Sequence, residues 1–141
     1  MAEKKLKLVI VEDDEHDFEL LTRVLNKCDI HFEKVWLQNG EETIKFLEHL
    51  ESSHSNSYSK NVFFVDINLP MLDGLQLIKK IKNHPITKND YVITLSGSNK
   101  KNDIDTAIMN GADLYLEKPF GKQKIIEFGN FLCSKLTELS Q

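Results

Sequence analysis

Short apolar runs alternate along the chain with segments whose apolar residues recur every three or four positions. The runs predict five strands, at 6–11, 32–37, 62–66, 91–95 and 114–116. They are rich in Val, Ile, Leu and Phe, which suits strands covered on both faces. The three-and-four spacing predicts five amphipathic helices. The apolar positions of these helices are Phe18, Leu21, Leu25 and Cys28; Ile44, Leu47 and Leu50; Leu75, Ile78 and Ile81; Ile104, Ala107 and Ile108; and Ile125, Phe128, Leu132, Leu136 and Leu139.

This alternation of strands and helices favours right-handed βαβ crossovers and a mainly parallel sheet. Because there are five strands, we expect an α/β, flavodoxin-like doubly wound fold with strand order 2-1-3-4-5 rather than the Rossmann order. The polar stretch 51–61 is predicted to be a loop, since it is too short to link two domains.

Polar residues follow four of the five predicted strands. Glu12 and Asp13 come after the first strand, and Asp66 ends the third. Ser96 follows the fourth strand, and Lys118 comes shortly after the fifth. In doubly wound folds, ligands bind at the carboxyl ends of the strands, where the strand order reverses. The four strand ends therefore predict one shared site.

The chemistry of these residues points to phosphoryl transfer. Clustered carboxylates repel one another by about 4 kcal/mol per pair at 4 Å and an effective dielectric near 20. Mg²⁺ would offset this repulsion, because it prefers oxygen ligands and keeps several waters. A lysine could span most of the roughly 10 Å that separates alternate strands. A carboxylate beside Mg²⁺, a lysine and a hydroxyl is equipped to attack phosphorus, which makes Asp66 the predicted phosphoryl acceptor.

Four sequence elements together resemble the receiver domain of two-component response regulators. They are the acid pair Glu12-Asp13, the stretch DINLPMLDG that begins at Asp66, Ser96 with the glycine after it, and NGADLYLEKPF, which contains Lys118. The resemblance implies a receiver domain at 6–138, with a leader at 1–5 and a tail at 139–141. It also implies that Asp66 is phosphorylated, that Asp13 binds Mg²⁺ directly and that Glu12 often acts on the metal through water.

The same resemblance assigns roles to further residues. Asn68 would bind the metal through its backbone carbonyl, and Lys118 would contact the phosphoryl group. Ser96 would be the switch hydroxyl, and Tyr115 the aromatic switch residue. The bond between Lys118 and Pro119 is expected to be cis, a state largely restricted to proline.

The expected function is that of a stand-alone, single-domain response regulator. It would take a phosphoryl group from a sensor histidine kinase or a histidine phosphotransfer protein, and signal to an unknown protein target through altered contacts. The expected contact surface is the face formed by the fourth helix, the fifth strand and the fifth helix, which could also hold a homodimer. The stretch 51–61 and the segment HPITKNDYVITLSGS resemble small regulators that pair with bacteriophytochromes.

Three other classes of protein share some of these features. A pseudo-receiver would keep the fold as an interaction module without being phosphorylated. Haloacid-dehalogenase-type phosphatases also use an aspartate nucleophile, but they need a second acid two residues later, where this chain has Asn68. A dinucleotide-binding protein is disfavoured because no G-x-G-x-x-G follows the first strand. We therefore expect a signalling protein that takes part only in its own phosphorylation and autodephosphorylation, not an enzyme.

Composition narrows the setting of the protein. A net charge of −4, with 28% charged residues, is ordinary for a soluble protein and unlike a basic nucleic-acid-binding surface. The apolar run near the N-terminus is too short for a signal peptide or a membrane span. We therefore expect a cytoplasmic protein with no nucleic-acid or membrane partner. In that compartment, Cys28 and Cys133 are predicted to be buried thiols rather than a disulfide or a metal-binding pair.

Overall fold

The computed structural model of the chain describes residues 5–52, 59–68 and 73–141. Its strands are β1 (Lys5–Val11), β2 (Phe32–Leu37), β3 (Ser59–Asp66), β4 (Tyr91–Ser96) and β5 (Leu114–Glu117). Its helices are α1 (Glu15–Asn26), α2 (Gly40–Ser52), α3 (Gly74–Asn83), α4 (Lys101–Met109) and α5 (Lys122–Leu139). Most of the predicted leader, and residues 53–58 of the predicted loop, lie outside the described residues.

The five strands form one parallel sheet in the order β2-β1-β3-β4-β5, which confirms the predicted fold. In the register of the sheet, Val11 lies opposite Val65, one residue before Asp66. Ser96 lies opposite Glu117 at the ends of β4 and β5. The residues that follow β1, β3, β4 and β5 therefore meet at one edge of the sheet, around the point where the strand order reverses.

Helices cover both faces of the sheet. Successive strand residues point to opposite faces, so Phe63 packs with the layer of α2 and α3 while Phe64 packs with the layer of α1 and α5. Both phenylalanines are fully buried. This burial on both faces explains why β3 is an almost continuous apolar run. No helix in the described part of the chain is long and apolar enough to cross a membrane.

Some local predictions differ from the structure. β3 begins at Ser59, inside the predicted loop, because the polar residues 59–61 pair with residues 5–7 of β1. Ala107 and Ile108 were both expected to face inward; α4 buries Ala107, but Ile108 is 46% exposed. Within the described residues, β1 starts at Lys5 and α5 ends at Leu139.

The prediction of two free thiols is wrong, since Cys28 and Cys133 form a disulfide. Their Cα atoms are 5.1 Å apart, within the usual range for such a bond. Cys28 lies just after α1, and Cys133 lies on α5. These two helices pack side by side on one face of the sheet. The bond joins residues 105 positions apart, which the spacing within either helix does not predict.

Candidate functional site

Three carboxylates meet where β1 and β3 end. Glu12 and Asp66 are 3% and 4% exposed, whereas Asp13 faces solvent. One carboxylate oxygen from each residue lies within 4.8 Å of the other two. These three side chains could together hold a divalent metal ion. Because every donor is a hard oxygen atom, the cluster fits Mg²⁺ or Mn²⁺.

Lys118 joins this acidic cluster from the end of β5. Its Nζ donates to Asp66 Oδ2 at 2.8 Å and to Asp17 Oδ2 at 2.7 Å, and it lies 3.1 Å from Glu12 Oε1. The backbone N–H of Lys118 donates to Ser96 O at 2.7 Å, which fixes the base of the side chain. The lysine therefore spans the gap between alternate strands, as the strand spacing led us to expect.

The charges of the cluster shift two pKa values. Burial and the nearby charge of Asp66 raise the pKa of Glu12 from 4.5 to about 8, although Lys118 acts in the opposite direction. Burial disfavours the charged form of Lys118, but its hydrogen bonds to Asp17 and Asp66 outweigh this effect and raise its pKa. Without a metal ion, Glu12 is therefore largely protonated at neutral pH, while Lys118 stays charged.

A turn and a tight packing contact fix Asp66 at the end of β3. The backbone N–H of Asn68 donates to Asp66 Oδ1 at 2.9 Å. Gly74, the first residue of α3, lies so close that a Cβ at this position would collide with Asp66 O and with Ile67 Cα. A larger residue at position 74 would have to push the end of β3 aside. Gly74 therefore helps to set the position of Asp66.

The two predicted switch residues, Ser96 and Tyr115, both contact the loop between β4 and α4. Ser96 is fully buried, and its Oγ accepts from the backbone N–H of Ser98 at 3.1 Å. The half-buried Tyr115 donates its hydroxyl to Ser98 O at 2.7 Å. Ser98 Oγ in turn donates to Asp103 on the first turn of α4. These contacts connect the end of β4, β5 and α4 through one residue.

The prediction of a cis bond before Pro119 is wrong, because the bond between Lys118 and Pro119 is trans. The trans form is intrinsically favoured before proline by about 0.5–1 kcal/mol. The connection to α5 passes through Gly121, whose φ of 92° is readily adopted by glycine.

Two residues at the site were not predicted from the sequence. Asp17 binds Lys118 across 101 positions of the chain, and the only sequence signal for it is its place four residues after Asp13. Trp36 donates its indole N–H to Glu12 O at 2.7 Å and stacks on Phe18, with 3.9 Å between the ring centroids. Since Trp36 is the single tryptophan of the chain, its fluorescence should report changes at the acidic cluster.

Comparison with known proteins identifies the family. The profile of the response regulator receiver domain matches residues 8–128. The chain belongs to the response regulator receiver family. Response regulator Rcp1 of Synechocystis sp. is 30% identical over 111 residues, which are 79% of this chain and 75% of Rcp1. The crystal structure of the Mn²⁺-bound form of Rcp1 matches with a TM-score of 0.74 at 25% identity, covering 89% of this receiver and 90% of that chain.

Two further relatives differ in how much of their own length matches this chain. The phosphorylated cyanobacterial phytochrome response regulator RcpA matches with a TM-score of 0.75 at 27% identity, covering 93% of this receiver and 91% of that chain. The two-component response regulator-like protein PRR37 of Oryza sativa subsp. indica is 24% identical over 125 residues. Those residues are 89% of this chain but only 16% of the rice protein, so this relative is far longer than its matching region.

Proposed function

We propose that Asp66 accepts a phosphoryl group from the phosphohistidine of a sensor histidine kinase or a histidine phosphotransfer protein, in a reaction that requires Mg²⁺. The observation that carries this proposal is the 2.8 Å contact between Lys118 Nζ and Oδ2 of Asp66. Asp66 is a buried carboxylate at the end of a core strand, where an ionised group is costly unless it is paired. A lysine that reaches it from two strands away supplies the charge that a phosphoryl group would also need.

In the proposed reaction, a carboxylate oxygen of Asp66 attacks phosphorus and forms a new P–O bond. The P–N bond of the phosphohistidine breaks, and the imidazole nitrogen keeps the electron pair. The product is an acyl phosphate on Asp66. Lys118 would donate to a phosphoryl oxygen, and the hydroxyl of Ser96 would donate to another. Positioning and charge neutralisation of this kind account for most of the catalysis in phosphoryl transfer.

The metal ion would be held by Glu12, Asp13 and Asp66, together with the backbone carbonyl of Asn68. When bound, Mg²⁺ supplies positive charge that offsets the charges of the acids and of the phosphoryl group. The oxygen donors of the acidic cluster support a hard divalent ion at this site. The Mn²⁺-bound form of Rcp1 is further support, because it carries a divalent ion on a related receiver.

Phosphorylation would be signalled through Ser96 and Tyr115, since both contact Ser98 in the loop that leads to α4. The face formed by α4, β5 and α5 would then bind the protein target or a second copy of the chain. Several apolar side chains on α4 and α5 are exposed, as is typical of interaction surfaces. They are Ile108 and Met109 on α4 and Phe131 on α5.

We propose a cytoplasmic location, where histidine kinases present their phosphohistidine. The name of RcpA as a phytochrome response regulator makes a phytochrome-type kinase the first donor to try. Thiol reductants of the cytoplasm keep most cysteines reduced. We therefore expect the disulfide between Cys28 and Cys133 to be reduced there.

The test is intact-protein mass after incubation with acetyl phosphate, with and without Mg²⁺, for the wild type and for Asp66→Asn. We expect one phosphoryl increment that requires Mg²⁺ and is absent from Asp66→Asn. The control is Asp14→Asn, which removes a neighbouring exposed charge but keeps a good helix cap, and which should still be phosphorylated. No increment under any condition would favour a pseudo-receiver, and an increment that survives Asp66→Asn would mean that another residue is the acceptor.

A further inference from the structure

The ammonium group of Lys118 lies against three acidic side chains, and it donates hydrogen bonds to two of them, Asp17 and Asp66. It has three N–H donors, and Asp17, Asp66 and Glu12 all lie within 3.1 Å of Nζ. Glu12 and Asp66 belong to the acidic cluster that fits a metal ion. Asp17 does not belong to this group. It lies on the first turn of α1, and its side chain is 41% exposed.

We propose that Asp17 competes with the phosphoryl group for Lys118, and that it thereby makes the phosphorylated state of Asp66 less stable. Asp17 would be a positioning residue, because it acts through the lysine. The proposal rests on the phosphorylation of Asp66 proposed above and adds a residue that sets how stable the phosphorylated state is.

Geometry places the charge of Asp17 close to the phosphorylation site. Asp17 Oδ2 and Asp66 Oδ2 accept from the same nitrogen at 2.7 and 2.8 Å. These two oxygens are therefore no more than about 5.5 Å apart, a distance at which charges interact strongly in a partly buried site. Phosphorylation brings additional negative charge to Asp66. The carboxylate of Asp17 would repel that charge, and it would retain one of the hydrogen bonds of Lys118.

A small cavity lies beside Lys118, on the side of Asp17. It has a volume of about 30 Å³ and is lined in part by Glu12, Asp17, Leu95 and Phe128. This volume is enough for about two water molecules. Because the ammonium group contacts Asp17 and Asp66 at the same time, a phosphoryl group on Asp66 would compete with Asp17 for the same nitrogen.

An experiment can distinguish the proposed competition for Lys118 from a purely structural role of Asp17 at the start of α1. An acid in the first turn of a helix favours the helix dipole, and Asp14 already provides the cap of α1. Glu15 is an exposed acid on the same turn as Asp17. Glu15→Gln therefore removes the same charge from the same helix end, and it is the matched control for Asp17→Asn.

The experiment measures the affinity of beryllium fluoride, a mimic of the phosphoryl group, at saturating Mg²⁺ through the fluorescence of Trp36. We expect Asp17→Asn to bind the mimic about three- to fivefold more tightly than the wild type, the upper part of the range for an exposed ion pair. Glu15→Gln and the charge-conserving Asp17→Glu should each stay within about twofold of the wild type. The lifetime of the phosphoryl group from acetyl phosphate should lengthen in Asp17→Asn by a similar factor.

Two results would overturn the proposal about Asp17. One is an Asp17→Asn affinity that equals that of Glu15→Gln or is weaker than the wild type. The other is an Asp17→Glu variant that behaves like Asp17→Asn, because the charge would then not be the cause. If the wild type is phosphorylated at Asp66 while either result holds, the proposed function stands and only the role of Asp17 fails. If the wild type neither binds the mimic nor takes a phosphoryl group, both proposals fail.

Discussion

Reduction of the disulfide between Cys28 and Cys133 should destabilise the protein strongly without stopping phosphorylation. The bond joins residues 105 positions apart. The loop-entropy relation for a closed loop of this length gives about 4.7 kcal/mol at 25 °C, and measured disulfides typically contribute about 2–4 kcal/mol. Domains are stable by about 5–15 kcal/mol in total. With an unfolding entropy of about 0.3 kcal/mol/K for a chain of this size, a loss of about 2–4.7 kcal/mol lowers Tm by roughly 7–16 °C.

Phosphorylation should continue because the bond lies far from the acidic cluster. Asp17 is on the first turn of α1, and Cys28 lies beyond the other end of that helix, roughly 15 Å further along its axis. A reductant therefore removes the cross-link between α1 and α5 without touching the residues that would hold the metal ion.

The assay is urea unfolding of the wild type with and without a phosphine reductant, with alkylation and mass measurement to count free thiols. The control is a variant with Cys28→Ser and Cys133→Ser, which should unfold near the midpoint of the reduced wild type and should not respond to reductant. An unchanged midpoint in protein that has two free thiols would refute the stabilising role of the bond. Loss of acetyl phosphate labelling in reduced, folded protein would refute the separation of the bond from the site.

Further predictions concern the packing of Gly74, the ionisation of Glu12 and the hydrogen bond of Tyr115. Gly74→Ala should lower the free energy of unfolding in urea by about 1–3 kcal/mol, because the new Cβ collides with backbone atoms. The control is Gly97→Ala, whose Cβ meets nothing within 4 Å, and it should change the free energy of unfolding by less than about 0.5 kcal/mol. Equal losses in the two variants would contradict this packing argument. In the absence of metal, stability should fall as pH rises from about 5 to 8, since Glu12 ionises near 4.5 in the unfolded chain but keeps its proton up to a pKa of about 8 in the folded protein. Mg²⁺ should bind more tightly as the pH rises over the same range, because binding releases the proton of Glu12. Equal affinities by calorimetry at about pH 6.5 and pH 8.5 would argue against the raised pKa of Glu12. Tyr115→Phe should lower the free energy of unfolding by about 0.5–1.5 kcal/mol, because Ser98 O loses its hydrogen-bond donor. Labelling by acetyl phosphate should be unchanged. A loss of labelling would mean that the tyrosine takes part in the phosphoryl transfer itself.

The sequence by itself determined the class of fold, and it predicted which strand ends contribute to one shared site. The alternation of apolar runs with three-and-four spacing is a local property, so it could be read without knowing any long-range contact. The rule that strand ends meet at the switch point then brought together Glu12, Asp13, Asp66 and Ser96. Lys118 followed because a long, flexible side chain can cross the distance between alternate strands.

Only the tertiary structure decided which residues meet across the helices and how closely they pack. The contact of Asp17 with Lys118 and the bond between Cys28 and Cys133 join positions more than 100 residues apart. They depend on how α1 sits against β5 and α5, and the periodicity of one helix reports only which of its faces is apolar. The need for glycine at position 74 depends in the same way on the close approach of α3 to the end of β3. Such contacts are set by the packing of whole elements, because a shift of a few ångströms between two helices leaves each helix's own pattern unchanged but makes or breaks every contact between them.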